Sequence, residues 1–74
     1  MPHVNVRMYP GRTVEQKRAL TQRIVEAVQE TLGVPEKAVT VVIEDVSPND
    51  WNAVVVEPEI RAKKDCVFKG PENL

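Results

Sequence analysis

The chain holds one cysteine, one histidine, three glycines and only three aromatic residues (Tyr9, Trp51 and Phe68) in 74 positions. Each scarcity excludes something. A lone Cys66 forms no internal disulfide, and Cys66 with His3 falls short of the ligand set of a zinc site. Glycines at 11, 33 and 70 are too scattered to cradle a phosphate. No serine, histidine and aspartate stand in an arrangement that suggests a nucleophilic triad. Neither sign of charge is in excess: Lys plus Arg number 10, Asp plus Glu 11, and the net charge is −1. Nothing therefore draws the chain toward nucleic acid or an anionic membrane. The longest apolar run, Ala53 to Val56, is far below the roughly 20 residues of a membrane-spanning helix. The opening Met-Pro-His-Val-Asn-Val-Arg has no apolar h-region of an export signal, so the cytoplasm is the expected compartment.

What is present is a globular composition, 42% hydrophobic and 28% charged, in a length that suits one domain spanning residues 1–74. A domain this small buries only about 60% of its unfolded surface, and no disulfide or metal is in view to staple it. Yet Val and Ile are spent freely on strand-like segments. Burial against another copy of the chain resolves the conflict, so a homo-oligomer is expected.

His3 to Tyr9 alternates, with Val4, Val6 and Met8 on one side and His3, Asn5 and Arg7 on the other, the period of a half-buried strand. Pro10-Gly11 ends it. Thr13 has the character of an N-cap, and Gln16 completes a capping box. Leu20, Ile24, Ala27, Val28, Thr31 and Leu32 then recur at helical spacing, Gly33 is a C-cap and Pro35 blocks continuation, which predicts a helix over 13–32. Val39 to Val46 is β-branched and nearly continuous, the pattern of a strand buried on both faces. Strand, long helix and strand predict an α+β fold built on a β-α-β unit, with parallel strands and a right-handed crossover. Ser47-Pro48-Asn49-Asp50 is a turn. Beyond it, Trp51 to Val56 suits a short strand, Pro58 to Lys64 a short helix with Pro58 at its first position, and Gly70 to Leu74 an irregular end. His3 is expected on the solvent side of its strand, and Cys66 as a small buried hydrophobe.

One position carries chemistry of its own. Pro2 follows the initiator methionine, which is normally removed ahead of so small a residue. Removal leaves a secondary amine on a rigid ring. Burial and neighbouring cations favour the neutral form of such an amine, and a neutral amine is a general base.

Pro2, the strand of Val4, Val6 and Met8, Pro10-Gly11-Arg12-Thr13, Glu15-Gln16-Lys17, Leu32-Gly33-Val34-Pro35, the second strand and Trp51 together resemble the 4-oxalocrotonate tautomerase family. The resemblance covers roughly residues 2 to 51. The Pro2-His3 opening, Ser47 to Ala53, Glu59-Ile60 and Lys69-Gly70-Pro71 look more like the dimeric bacterial branch of that family. The resemblance implies a tautomerase-like oligomer and a cofactor-independent keto–enol tautomerase acting on a small 2-oxo or enol acid. Pro2 would be the general base and then the acid. Arg12 would bind the substrate carboxylate, a task a guanidinium performs bidentately. Trp51 matches the family's pocket phenylalanine, an apolar wall beside the amine.

Two departures from the family are visible. Its second arginine aligns with Thr40, which can hydrogen-bond a substrate oxygen but carries no charge; Arg7 and His3 are the residues able to replace that charge. Its glycine-rich C-terminal hairpin is replaced by Asn52-Ala53-Val54-Val55-Val56-Glu57. Together they favour a monoacid such as phenylenolpyruvate over a diacid, and a dimer over a hexamer. Two other readings use the same residues differently. One is hydration or dehalogenation of an unsaturated acid on the same site, and the other is a non-catalytic oligomeric binding protein.

Overall fold

The computed structural model of the chain describes residues Met1–Glu72. Strand β1 (His3–Met8), helix α1 (Val14–Leu32) and strand β2 (Thr40–Asp45) follow one another, and the two strands pair in parallel. The register runs from His3 opposite Thr40 to Met8 opposite Asp45. The Thr40 N–H donates to the Pro2 carbonyl at 3.1 Å and the Val46 N–H to the Met8 carbonyl at 2.8 Å, which carries the ladder past both ends. Side chains alternate across a strand, so this register sorts residues onto two faces. Val4, Val6 and Met8 share one face with Val41, Ile43 and Asp45. His3, Asn5 and Arg7 share the other with Thr40, Val42 and Glu44.

Helix α1 lies over the first face. The Lys17 ammonium sits 3.0 Å from the Asp45 carboxylate, and Val14, Lys17, Arg18 and Thr21 line a hollow with Val41 and Ile43. Its ends follow from the capping residues. Thr13 accepts from the Gln16 N–H at 3.1 Å, while the Gln16 side chain accepts from the Thr13 N–H at 2.9 Å, the reciprocal capping box. Gly33 closes the helix in the left-handed region at φ 69°, donating to the Gln29 carbonyl at 2.9 Å. The side of α1 turned inward is displaced from the expected stripe. Ile24 and Val28 are half-buried together with Lys17, Thr21, Val25 and Gln29, whereas Leu20, Ala27, Thr31 and Leu32 are exposed.

Beyond β2 the chain departs from expectation. Trp51 to Val56 is not a strand but the start of a second helix, α2 (Asn52–Arg61), and Pro58 lies inside it rather than at its first position. The helix begins in the preceding turn: the Asn49 N–H donates to the Ser47 hydroxyl at 3.2 Å, and successive N–H groups of Asp50, Trp51 and Val54 reach back to Ser47, Pro48 and Asp50. These local bonds outweigh the β-propensity of three consecutive valines, which depends on a neighbouring strand being available. α2 is wide, with hydrogen bonds spanning five residues, as from the Ala62 N–H to the Glu57 carbonyl at 2.9 Å. Pro58 gives a reason, because a proline has no N–H for the Val54 carbonyl four residues back and its ring crowds that group. The Arg7 guanidinium donates to that carbonyl instead, at 3.0 Å. A single tight turn, Lys64–Cys66, follows. It carries Cys66 past α2 into an exposed position, not the buried one expected. Gly70 to Glu72 forms no regular element, and Asn73 and Leu74 lie outside the described residues.

Little of this is closed off from water. Among the described residues only Val55 is buried, at 8% exposure, while Val42 on β2 is 41% exposed and Phe68 fully so. β2 is therefore covered on one face, not both. The chain exposes 5970 Å², against about 4,600 Å² for a compact monomer of its mass. Its radius of gyration of 13.7 Å likewise exceeds the roughly 11 Å of a compact chain this long.

Candidate active site

The residues singled out from the sequence fall into two groups, one at each end of the parallel sheet. Where the strands begin, Pro2 is half-buried and held through its carbonyl by the Thr40 N–H. The next pair in register is His3 and Thr40, and it is joined by side chains as well as by position: His3 Nδ1 lies 2.6 Å from Thr40 Oγ1. This bond is exposed and ties the two strands together at the residue that follows the proline.

Where the strands end, Gly11 turns the chain at φ 122°, a conformation that strains a residue bearing Cβ. The turn sets Arg12 just ahead of the cap of α1, exposed, where it lines a hollow of about 180 Å³ with Met8, Gln16, Lys17 and Leu20. None of the ion pairs among the described residues includes Arg12. Trp51 stands at this end too. Its ring meets that of Tyr9 edge-on, with centroids 4.9 Å apart and planes at 90°, a favoured aromatic geometry. Tyr9 was not among the sequence candidates; its place one residue past β1, level with the turn that delivers Trp51, is the signal that could have found it.

Pro2 and Tyr9 are thus separated by the whole of β1, about 23 Å at the rise of an extended strand. A small carboxylic acid cannot span that distance. The structure brings Pro2, His3 and Thr40 together at one end of the sheet and sets Tyr9 against Trp51 at the other, the end that also carries Arg12, but it does not join the two ends within one chain.

Of the two residues able to replace a missing charge near Thr40, Arg7 is committed elsewhere. It pairs with Glu44 at 3.5 Å and holds the Val54 carbonyl of α2. His3 is the one beside Pro2. On α2 itself, the Lys63 ammonium hydrogen-bonds Glu59 at 2.9 Å and, with a weaker contribution from Arg7, holds the Glu59 carboxyl below its ordinary range. Among the described residues no three His, Cys, Asp or Glu side chains gather in a way that could hold a metal ion.

Comparison with known proteins gives these positions a context. The sequence profile of the family described as "Tautomerase enzyme" matches residues 2–59. The 2-hydroxymuconate tautomerase of Bacillus subtilis is 50% identical over 51 residues, covering 69% of this chain and 82% of that protein. A relative from Xylella fastidiosa is 34% identical over 71 residues, 96% of this chain and 87% of its own, so that likeness continues through α2. Among solved structures, a 4-oxalocrotonate tautomerase isozyme from Methylibium petroleiphilum superposes with a TM-score of 0.64 at 38% identity, over 68% of this chain and 81% of that one.

Proposed function

The chain belongs to the tautomerase family and is an isomerase of that kind, and within this class we propose that it ketonises a small enol of a 2-oxo monoacid, with phenylenolpyruvate as the representative substrate. The Pro2 amine, released by loss of Met1, is the acid–base group. As neutral base it takes the enol hydroxyl proton, and as ammonium it returns a proton to the neighbouring carbon while the C–O bond becomes a carbonyl. No group is gained or lost, so no cofactor is called for.

The observation that carries this reading is where Pro2 sits: at the first residue of the family match, half-buried, its carbonyl pinned to β2 so that its nitrogen heads the sheet. With Met1 attached that nitrogen is an amide without basicity. With Met1 gone it is an amine whose ring has no rotatable bond to lose.

Arg12 and Trp51 enter the same reading from a second copy of the chain. The separation of about 23 Å along β1 supports it, and so does the surface. The excess of roughly 1,400 Å² over a compact monomer is of the size that a subunit contributes to a substantial interface. A guanidinium from the second copy would bind the carboxylate and stabilise the developing enolate. The indole would keep the amine dry and neutral. Cytoplasmic residence and a dimer rather than a hexamer complete the proposal. No helix of the described residues is long and apolar enough to cross a membrane.

The test is direct. Intact mass establishes the loss of Met1, and the ultraviolet decay of phenylenolpyruvate measures ketonisation. Activity that survives Pro2→Ala undiminished, in protein shown to lack Met1, would remove the proline from the mechanism.

A further inference from the structure

Resting on that reading, we propose that His3 is the substrate-orienting residue of the site. Its Nε2–H hydrogen-bonds the substrate carboxylate, and the Thr40 hydroxyl, donating to Nδ1, sets the tautomer that makes this possible.

Parallel pairing of His3 with Thr40 puts both side chains on one face at the mouth of the sheet, one residue from the nitrogen assigned to proton transfer. Their bond, 2.6 Å from Nδ1 to Oγ1, uses one of the two ring nitrogens. A neutral imidazole has one donor and one acceptor nitrogen, and the partner of the first decides the character of the second. A hydroxyl that donates to Nδ1 therefore leaves the ring proton on Nε2, the nitrogen not used by Thr40. Protonation of the ring keeps Nε2–H and reverses only the Thr40 bond, with the hydroxyl then accepting. In both states Nε2 is a donor, as an anionic or carbonyl oxygen requires.

The surroundings agree. On this face of the two strands the neighbours of the pair are Asn5 and Val42, which carry no charge, and the first carboxylate along it, Glu44, is held by Arg7. No acidic side chain on that face competes for the imidazole. Thr40, expected from the sequence to hydrogen-bond a substrate oxygen, has its hydroxyl already engaged. Its part is to position His3.

His3 is the sole histidine, so its ring signals in a long-range proton–nitrogen spectrum need no assignment strategy. In Met1-free protein the account expects the Nε2–H tautomer, and a shift of the ring nitrogens that saturates when phenylpyruvate is added. In phenylenolpyruvate kinetics His3→Ala raises KM about tenfold and lowers kcat less than threefold. Thr40→Val raises KM about threefold, and Thr40→Ser restores it to within twofold. A ring proton on Nδ1, an imidazole unmoved by saturating phenylpyruvate, or an unchanged KM in His3→Ala overturns the proposal. These outcomes are separate from failure of the proline mechanism, which would appear as undiminished kcat in Pro2→Ala whatever the imidazole does.

Discussion

The two ends of the β1–β2 sheet are built for different work. At the end where the strands begin stand a proline nitrogen and a hydrogen-bonded pair, His3 and Thr40. At the other end stand a guanidinium that makes no ion pair among the described residues and two aromatic rings, Arg12, Tyr9 and Trp51. In the proposed reading the first end moves a proton, and the second binds an anion and excludes water. A tautomerase needs both within a few ångströms, and a single extended strand keeps them apart. On the reading proposed above these are two half-sites, and one arrangement answers both the thin core of the isolated chain and the open site: a second copy placed so that opposite ends meet.

The largest effect expected falls on the proton-transfer end. Pro2→Ala, or a form made to retain Met1, lowers kcat for phenylenolpyruvate at least about a hundredfold, the usual worth of a general acid–base group. The far-ultraviolet circular dichroism stays unchanged, because Pro2 joins the sheet through its carbonyl. At the anion-binding end, Arg12→Ala costs about ten- to a hundredfold in kcat/KM, as loss of a charge-assisted hydrogen bond does. Arg12→Lys recovers only part of that, because an ammonium cannot grip a carboxylate bidentately. Comparable losses from two residues so far apart would favour one shared site; an Arg12→Ala protein with full kcat/KM would break the link between the ends.

Smaller effects probe stability. Trp51→Ala removes the edge-on contact with Tyr9, worth about 1 kcal/mol beyond area burial, and lowers Tm by at least about 4–8 °C in a chain of this length. Protein concentration must be held fixed, since association contributes to Tm. Glu59→Gln, which removes an exposed pair with Lys63, gives the smallest change. The lowered carboxyl of Glu59 makes its pairing with Lys63 stabilising above the ordinary carboxylate range, and that contribution is lost as pH falls through the lowered value. Wild type therefore melts no more than about 2 °C above Glu59→Gln at neutral pH, as exposed pairs do, and the two melts converge in acid.

How much of this was legible in the residues differs along the chain. The β-α-β unit was, because alternation in Val4, Val6 and Met8, the Thr13–Gln16 box and Gly33 are local signals with local causes. The second helix was not. Val54, Val55 and Val56 read as a strand, and it took the hydrogen bonds of the Ser47–Asp50 turn, together with Arg7 reaching across from β1, to make that segment helical. The buried stripe of α1 was shifted because its inward face is chosen by packing on β2, including the Lys17–Asp45 pair, and not by the helix alone. At the site, Pro2 and Arg12 were legible as positions, and so in principle was their separation, since a six-residue strand lies between them. The meeting of His3 with Thr40 was not, because strand register is decided by the crossover and leaves no mark in either segment.

The central claim, one site from two half-sites, is tested most directly by complementation. Pro2→Ala and Arg12→Ala, each freed of Met1 and each nearly inactive, are unfolded together in equal amounts, refolded and assayed with phenylenolpyruvate. If the site is shared in a two-fold dimer, half of the dimers are mixed and each regains one intact site, so activity returns to about a quarter of wild type. Activity that stays at the level of the separate variants, with mixed dimers demonstrated by mass, would contradict it.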